Sequence, residues 1–184
     1  RAIVAMLAVL WAGGGYVPLD PHGPPLRIAS VLADAQPALI VTTRAHARLA
    51  QGAPALYLDL DDGAGAAQPM REPLPVPPDA VAYVTYTPGS TGRPNGVMIG
   101  RAALAHFVAG ASRRYAITGA DRVLQFAPIH FDASVEEIYL PLCAGATLVL
   151  RTDAMLDSLP LFVDALRAWR ISVLDLPTAF WDEL

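Results

Sequence analysis

An α/β fold, with strands flanked by helices and the strands running parallel, is predicted by three observations. Short apolar runs rich in β-branched residues alternate along the chain with segments of helical periodicity. Proline and glycine clusters punctuate the boundaries between them. Hydrophobic residues make up 54% of the 184 residues against 16% charged, which is enough apolar surface for a core and too much for disorder. Such alternation argues layers of helix on sheet.

The elements follow in order. Residues 2–11 are an apolar helix; the run is too short to span a bilayer and leads into Gly13-Gly14-Gly15 without a clear processing site. Pro24 and Pro25 open a second helix, since proline fits a first turn, with Leu26, Ile28, Val31 and Leu32 as its apolar face. A strand is expected at 38–42, a short polar helix at 44–50 and a strand at 55–60. Residues 61–78 carry Gly63, Gly65 and five prolines and read as an exposed connector inside one domain. Residues 81–85 are strongly β-prone, and 97–99 follow a glycine-rich loop. A helix at 102–115, a strand at 122–127 and a helix at 134–143 come next, the last bent or ended by Pro141. A strand at 146–150, a helix at 161–169 and a strand at 171–174 complete the pattern. Trp11, Trp169 and Trp181 sit among aliphatic neighbours at helical spacing and read as core.

The 13 basic residues are all arginine, and Asn95 is the sole asparagine. With 17 acidic residues the net charge is -4, which excludes a basic nucleic-acid footprint. Cys143 alone allows no internal disulfide and no multi-cysteine metal site, and its apolar surroundings suggest a buried packing residue. His22, His46 and His106 show no metal-ligand spacing. The chain begins at Arg1 and stops within an aromatic segment at 177–184, so a fragment is expected.

The segment 83–97 carries the most chemistry. A strand runs into three hydroxyl residues, Thr87, Ser90 and Thr91, and three glycines, Gly89, Gly92 and Gly96. Glycines let a backbone approach a ligand, and successive N–H groups with hydroxyls can cradle an anion. The loop is neither a G-x-x-x-x-G-K-[ST] nor a G-x-G-x-x-G pattern. A phosphate cradle and an ordinary glycine-rich turn both remain open at this point. Further on, Asp132 and Glu136 share a helix face, and Ser134 with Glu137 makes a capping box. His130, beside them, reads as structural.

These stretches resemble the adenylate-forming enzymes. Residues 87–97 resemble that superfamily's signature loop. Residues 10–21, Leu-Trp-Ala-Gly-Gly-Gly-Tyr-Val-Pro-Leu-Asp-Pro, resemble an upstream motif of the amino-acid adenylation domains of nonribosomal peptide synthetases. Phe131-Asp132-Ala133-Ser134 resembles their substrate-pocket helix, and 173–178 resemble the next pocket strand and turn. The resemblance implies part of the large N-terminal region of an adenylation domain over 1–184, without the small C-terminal domain. It implies ATP with Mg2+ as cofactors, the metal ligands lying mostly outside these residues. It also implies activation of an amino acid as its aminoacyl adenylate, a peptidyl carrier protein and further assembly-line domains as partners, and a cytoplasmic setting.

Residue by residue, the resemblance assigns Thr87, Gly89, Ser90, Thr91, Gly92, Asn95 and Gly96 to ATP phosphate binding. It assigns Phe131, Asp132, Ala133, Glu136 and Asp175 to the amino acid, with Asp132 pairing with the α-ammonium. Two acids, Glu136 and Asp175, would favour a cationic side chain. Two positions depart from the family pattern: Pro88 replaces a small residue, and Asn95 replaces lysine. They support a second reading, a degenerate non-catalytic module serving structure or interaction. A third is a generic nucleotide-binding α/β module without acyl chemistry.

Overall fold

The computed structural model describes residues 1–50, 52–59, 72–87 and 94–184. Most of the 61–78 connector, and Pro88, Gly89, Ser90, Thr91 and Gly92 of the glycine-rich loop, lie outside the described residues. The chain forms two compact units, Arg1–Ala102 and Ala103–Leu184.

In the first unit, α1 (Ala2–Trp11) ends at a turn in which Gly13 takes a φ of +83°. The chain then lies alongside β3 (Val81–Thr87): the Tyr16 N–H donates to the Ala82 carbonyl, and the Val84 N–H to the Tyr16 carbonyl. Gly15 is required by this approach, because a Cβ there would stand 2.8 Å from the Val81 carbonyl oxygen. The Arg101 guanidinium fixes the same corner by donating to the Leu10 and Gly14 carbonyls at 2.9 and 2.8 Å. Tyr16 thus ties the start of the 16–20 segment to β3.

The second helix, α2 (Pro25–Ala35), starts on proline and buries Ile28 and Val31. Leu26 is 86% exposed, contrary to its assignment to the apolar face. Residues two apart on a helix point to opposite sides, so Leu26 and Ile28 cannot share one. Strands β1 (Ile40–Thr42) and β2 (Ala55–Tyr57) pair in parallel. Between them the expected polar helix at Arg44–Ala50 is a kinked 3-10 segment. The largest departure is β4 (Asn95–Gly100), which pairs with β3 antiparallel rather than parallel. The seven residues 88–94 between them are too few for a parallel crossover, which takes a dozen or more.

Helix α3 (Arg101–Tyr115) leads into the second unit. There β5 (Arg122–Gln125) and β6 (Thr147–Leu150) pair in parallel through α4 (Ala133–Ala144), a β-α-β unit. Pro141 lies inside α4 without ending it. Termination comes at Gly145, left-handed at φ 71°, where the Ala146 N–H returns to the Pro141 carbonyl. α5 (Leu159–Ala168) is capped by the Ser158 hydroxyl, and α6 (Thr178–Glu183) closes the chain. Leu124, Met155, Phe162 and Leu176 form the core, joined by Phe126 and Phe180 rings within 6 Å of Phe162.

Three further expectations are corrected. Only Val173 of the 171–174 run bridges β5, because the N–H groups of Ser172 and Val173 both turn to one carbonyl, that of Arg122. Trp169 packs on the core, but Trp11 and Trp181 are 41% and 48% exposed. Helix α1 is apolar on nearly every side, so its composition does not say which side is covered. Cys143 is exposed: α4 is buried on nearly every side from Ser134 to Pro141, but its last turn, with Leu142 and Cys143, opens to solvent.

Candidate functional site

The residues singled out by sequence fall into two groups, one in each unit. In the first, Thr87 and Asn95 are paired across the open end of the β3–β4 hairpin, and both are exposed. Gly96 pairs with Tyr86, whose ring covers it: a Cβ at Gly96 would meet ring atoms at 3.0–3.2 Å. Helix α2 grips this end twice. The Arg27 guanidinium donates to the Tyr86 carbonyl at 3.1 Å, and the Tyr86 hydroxyl donates to Asp34 at 2.6 Å. Burial, followed by the Asp34 carboxylate, pushes the Tyr86 phenol up to about 12. The hairpin end that presents Thr87 and Asn95 is therefore fixed by an adjacent helix. Among the described residues the two side chains paired at this end are neutral, a hydroxyl and an amide, where a phosphate would gain more from a cation.

In the second unit the expected pocket residues cluster at and beyond the start of α4. Asp132 is the N-cap residue, its carboxylate accepting the Ala133 N–H at 2.9 Å while remaining exposed. Phe131 is 56% exposed, and its ring lies 5.4 Å from that of His130, tilted by 59°. Ala133 and Glu136 are half-buried, and Asp175 is exposed. Glu136 accepts a hydrogen bond from Tyr115, and that bond is the main reason the Tyr115 phenol sits above its ordinary range. Asp175 adds to the same rise, which places both acids within electrostatic reach of one phenol. Sequence reasoning passed over Tyr115, which ends α3 with no local pattern to mark it.

The expected capping box does not form. Ser134 instead donates to the Phe131 and Ile129 carbonyls at 2.6 and 3.2 Å. Glu137 is only 2% exposed and accepts from the Phe126 and Ala127 N–H groups at 3.0 Å and from the Gln125 amide at 3.1 Å. Burial pushes its carboxyl up to about 7 against those donors, with the Asp175 charge adding to the rise.

Fold and motifs together define an α/β protein built around a glycine-bearing hairpin and a β-α-β unit with an acidic helix start. The chain belongs to the AMP-binding enzyme family, whose model matches residues 1–184. It is 54% identical over its whole length to an isonitrile lipopeptide synthase of Streptomyces coeruleorubidus, of which it spans 13%. It is 36% identical over 97% of its length to tyrocidine synthase 2 of Brevibacillus parabrevis, of which it spans 5%. Among solved structures, a four-domain nonribosomal peptide synthetase, holo-AB3403 bound to AMP and glycine, matches with a TM-score of 0.81. The identity there is 31%, and the match covers 98% of this chain and 13% of that one. The AMPPNP-bound form of the synthetase FmoA3 matches with a TM-score of 0.76 at 32% identity, over 92% of this chain and 18% of that one. The chain thus corresponds to part of a nonribosomal peptide synthetase adenylation region.

Proposed function

We propose that these residues belong to a protein that activates an α-amino acid as its aminoacyl adenylate, using ATP, for transfer to a carrier-protein thiol. The observation that carries this reading is Asp132: an exposed carboxylate fixed at the start of α4, in a chain of AMP-binding ancestry throughout its length. An α-ammonium pairs with such a group, whereas a fatty or aryl acid would leave the charge without a partner. The hairpin end at Thr87, Asn95 and Gly96, with Gly89, Ser90, Thr91 and Gly92 between, would take the phosphates. Departure of pyrophosphate builds negative charge, which preorganised donors stabilise. Among the described residues no group of His, Cys, Asp or Glu could hold a metal ion. Mg2+ would arrive with the nucleotide, its ligands lying mostly outside these residues, as the family resemblance implies.

The side-chain subsite would be formed by Phe131, Ala133, Glu136 and Asp175. Two acids acting on one phenol support a cationic substrate such as lysine, ornithine, diaminobutyrate or arginine. The test is ATP–pyrophosphate exchange in the complete protein across a panel of amino acids. Exchange driven by cationic amino acids is expected; preference for an apolar substrate sinks the subsite, and no exchange with any amino acid sinks the activity. Asn95 favours one alternative, a degenerate module that has lost adenylation. That alternative predicts no ATP binding alongside intact carrier-domain contacts.

A further inference from the structure

We propose that Glu137 is a positioning residue for amino-acid recognition: it pins the strand-to-helix loop that delivers Phe131 and Asp132. The inference rests on the amino-acid-activating reading above. Beyond β5 the chain leaves its strand partner β6, so the backbone groups of 126–131 need other partners or they are left unsatisfied. The side chains supply them. Glu137 takes the Phe126 and Ala127 N–H groups, the Gln125 amide reaches the Ala127 carbonyl, and Arg151 donates to the Phe126 carbonyl at 2.7 Å. At the far end Ser134 takes the Phe131 and Ile129 carbonyls.

Glu137 and Ser134 stand on the helix that Asp132 itself caps. One rigid element therefore presents the carboxylate and straps down the loop running into it. An apolar side chain could fill the same buried volume but could not accept two backbone N–H groups from the strand exit. With that end released, the loop and its last residues, Phe131 and Asp132, lose their fixed relation to the sheet. A site that must match an ammonium to within a fraction of an ångström would register this as weaker amino-acid binding.

The experiment is amino-acid-dependent ATP–pyrophosphate exchange in the complete protein, with lysine, ornithine and arginine as probes. Four forms are compared: wild type, Glu137→Gln, Asp132→Ala and the double variant. Glutamine keeps the volume but exchanges one of the two acceptor oxygens for an NH2 group, which then faces the Ala127 N–H that both oxygens reach. The expected result is an apparent amino-acid KM raised about tenfold with ATP KM changed less than about twofold. In the Asp132→Ala background the added effect of Glu137→Gln should fall below about twofold, because the two act through one contact. Equal rises in both KM values, a loss confined to kcat, or full additivity would each overturn the proposal in favour of a general structural role. Should Glu137→Gln fail to fold, Ser134→Ala releases the other end of the loop and should raise the amino-acid KM in the same direction. Amide hydrogen exchange over 126–132 reads the strap independently of activity. Faster exchange there in Glu137→Gln, with β5 unchanged, is expected, and unchanged exchange defeats the proposal even if the wild type activates no amino acid.

Discussion

Asn95 stands at the mouth of the hairpin, paired with Thr87 and open to solvent. If this end takes the phosphates, as proposed, a lysine here would place a mobile ammonium beside them, whereas the amide offers a neutral donor of about half the strength. Asn95→Lys should therefore lower the ATP KM or raise kcat in pyrophosphate exchange, by about three- to tenfold for one added charge-assisted contact. The exposed position makes the change harmless to the fold, so thermal stability should stay within about 0.5 kcal/mol. Exchange kinetics unchanged by the lysine would remove Asn95 as the limit on activity. The departure itself was visible in the sequence, because a loop match is read one residue at a time. Glu137 was not recognised from the sequence: Ser-x-x-Glu fits a capping box, and only burial reveals that the carboxylate turns inward to the strand exit.

At the scale of elements, the end of the β3–β4 hairpin depends on α2. Tyr86 lies over Gly96 and is held there by its hydroxyl bond to Asp34, while Arg27 holds the same residue's carbonyl. A methyl at position 96 would press on a ring that is not free to move. Gly96→Ala should cost about 1–2 kcal/mol of stability and raise the ATP KM, as overpacking does. Asp34→Ala releases the hydroxyl and lets the ring swing, so the double variant should be less impaired than the two separate costs imply. Urea unfolding and ATP kinetics on the three variants test this; strict additivity would mean that Asp34 does not hold the ring. The helices and strands themselves were legible from period and punctuation, most closely α1, α3 and α4. The direction of β4 was misjudged because alternation of strand and helix was applied to two strands with no helix between them. The span from Thr87 to Asn95 admits only a hairpin.

On the scale of the whole molecule, the α/β class was legible and the placement of single residues within helices was not. Leu26, Trp11 and Cys143 all sit in segments that are apolar by composition, yet each faces outward. Hydrophobicity says that a helix has a buried side, and only its neighbours say which. The same burial that hid Glu137 from sequence reasoning makes it a determinant of stability. Its carboxyl is raised from an ordinary 4.5 to about 7 in the fold, first by desolvation and further by Asp175, against the pull of the Phe126 and Ala127 N–H groups. The folded state therefore holds a proton that the unfolded chain has already released between these values. Protonation stabilises the fold fully below pH 4.5, and that stabilisation fades as pH rises through 7. The span corresponds to about 3 kcal/mol between the two limits. The unfolding free energy in urea should accordingly be lower at pH 8 than at pH 5.5. Glu137→Gln, which carries no titratable group, should flatten that dependence. A slope that survives in the glutamine variant would assign the pH sensitivity to another group.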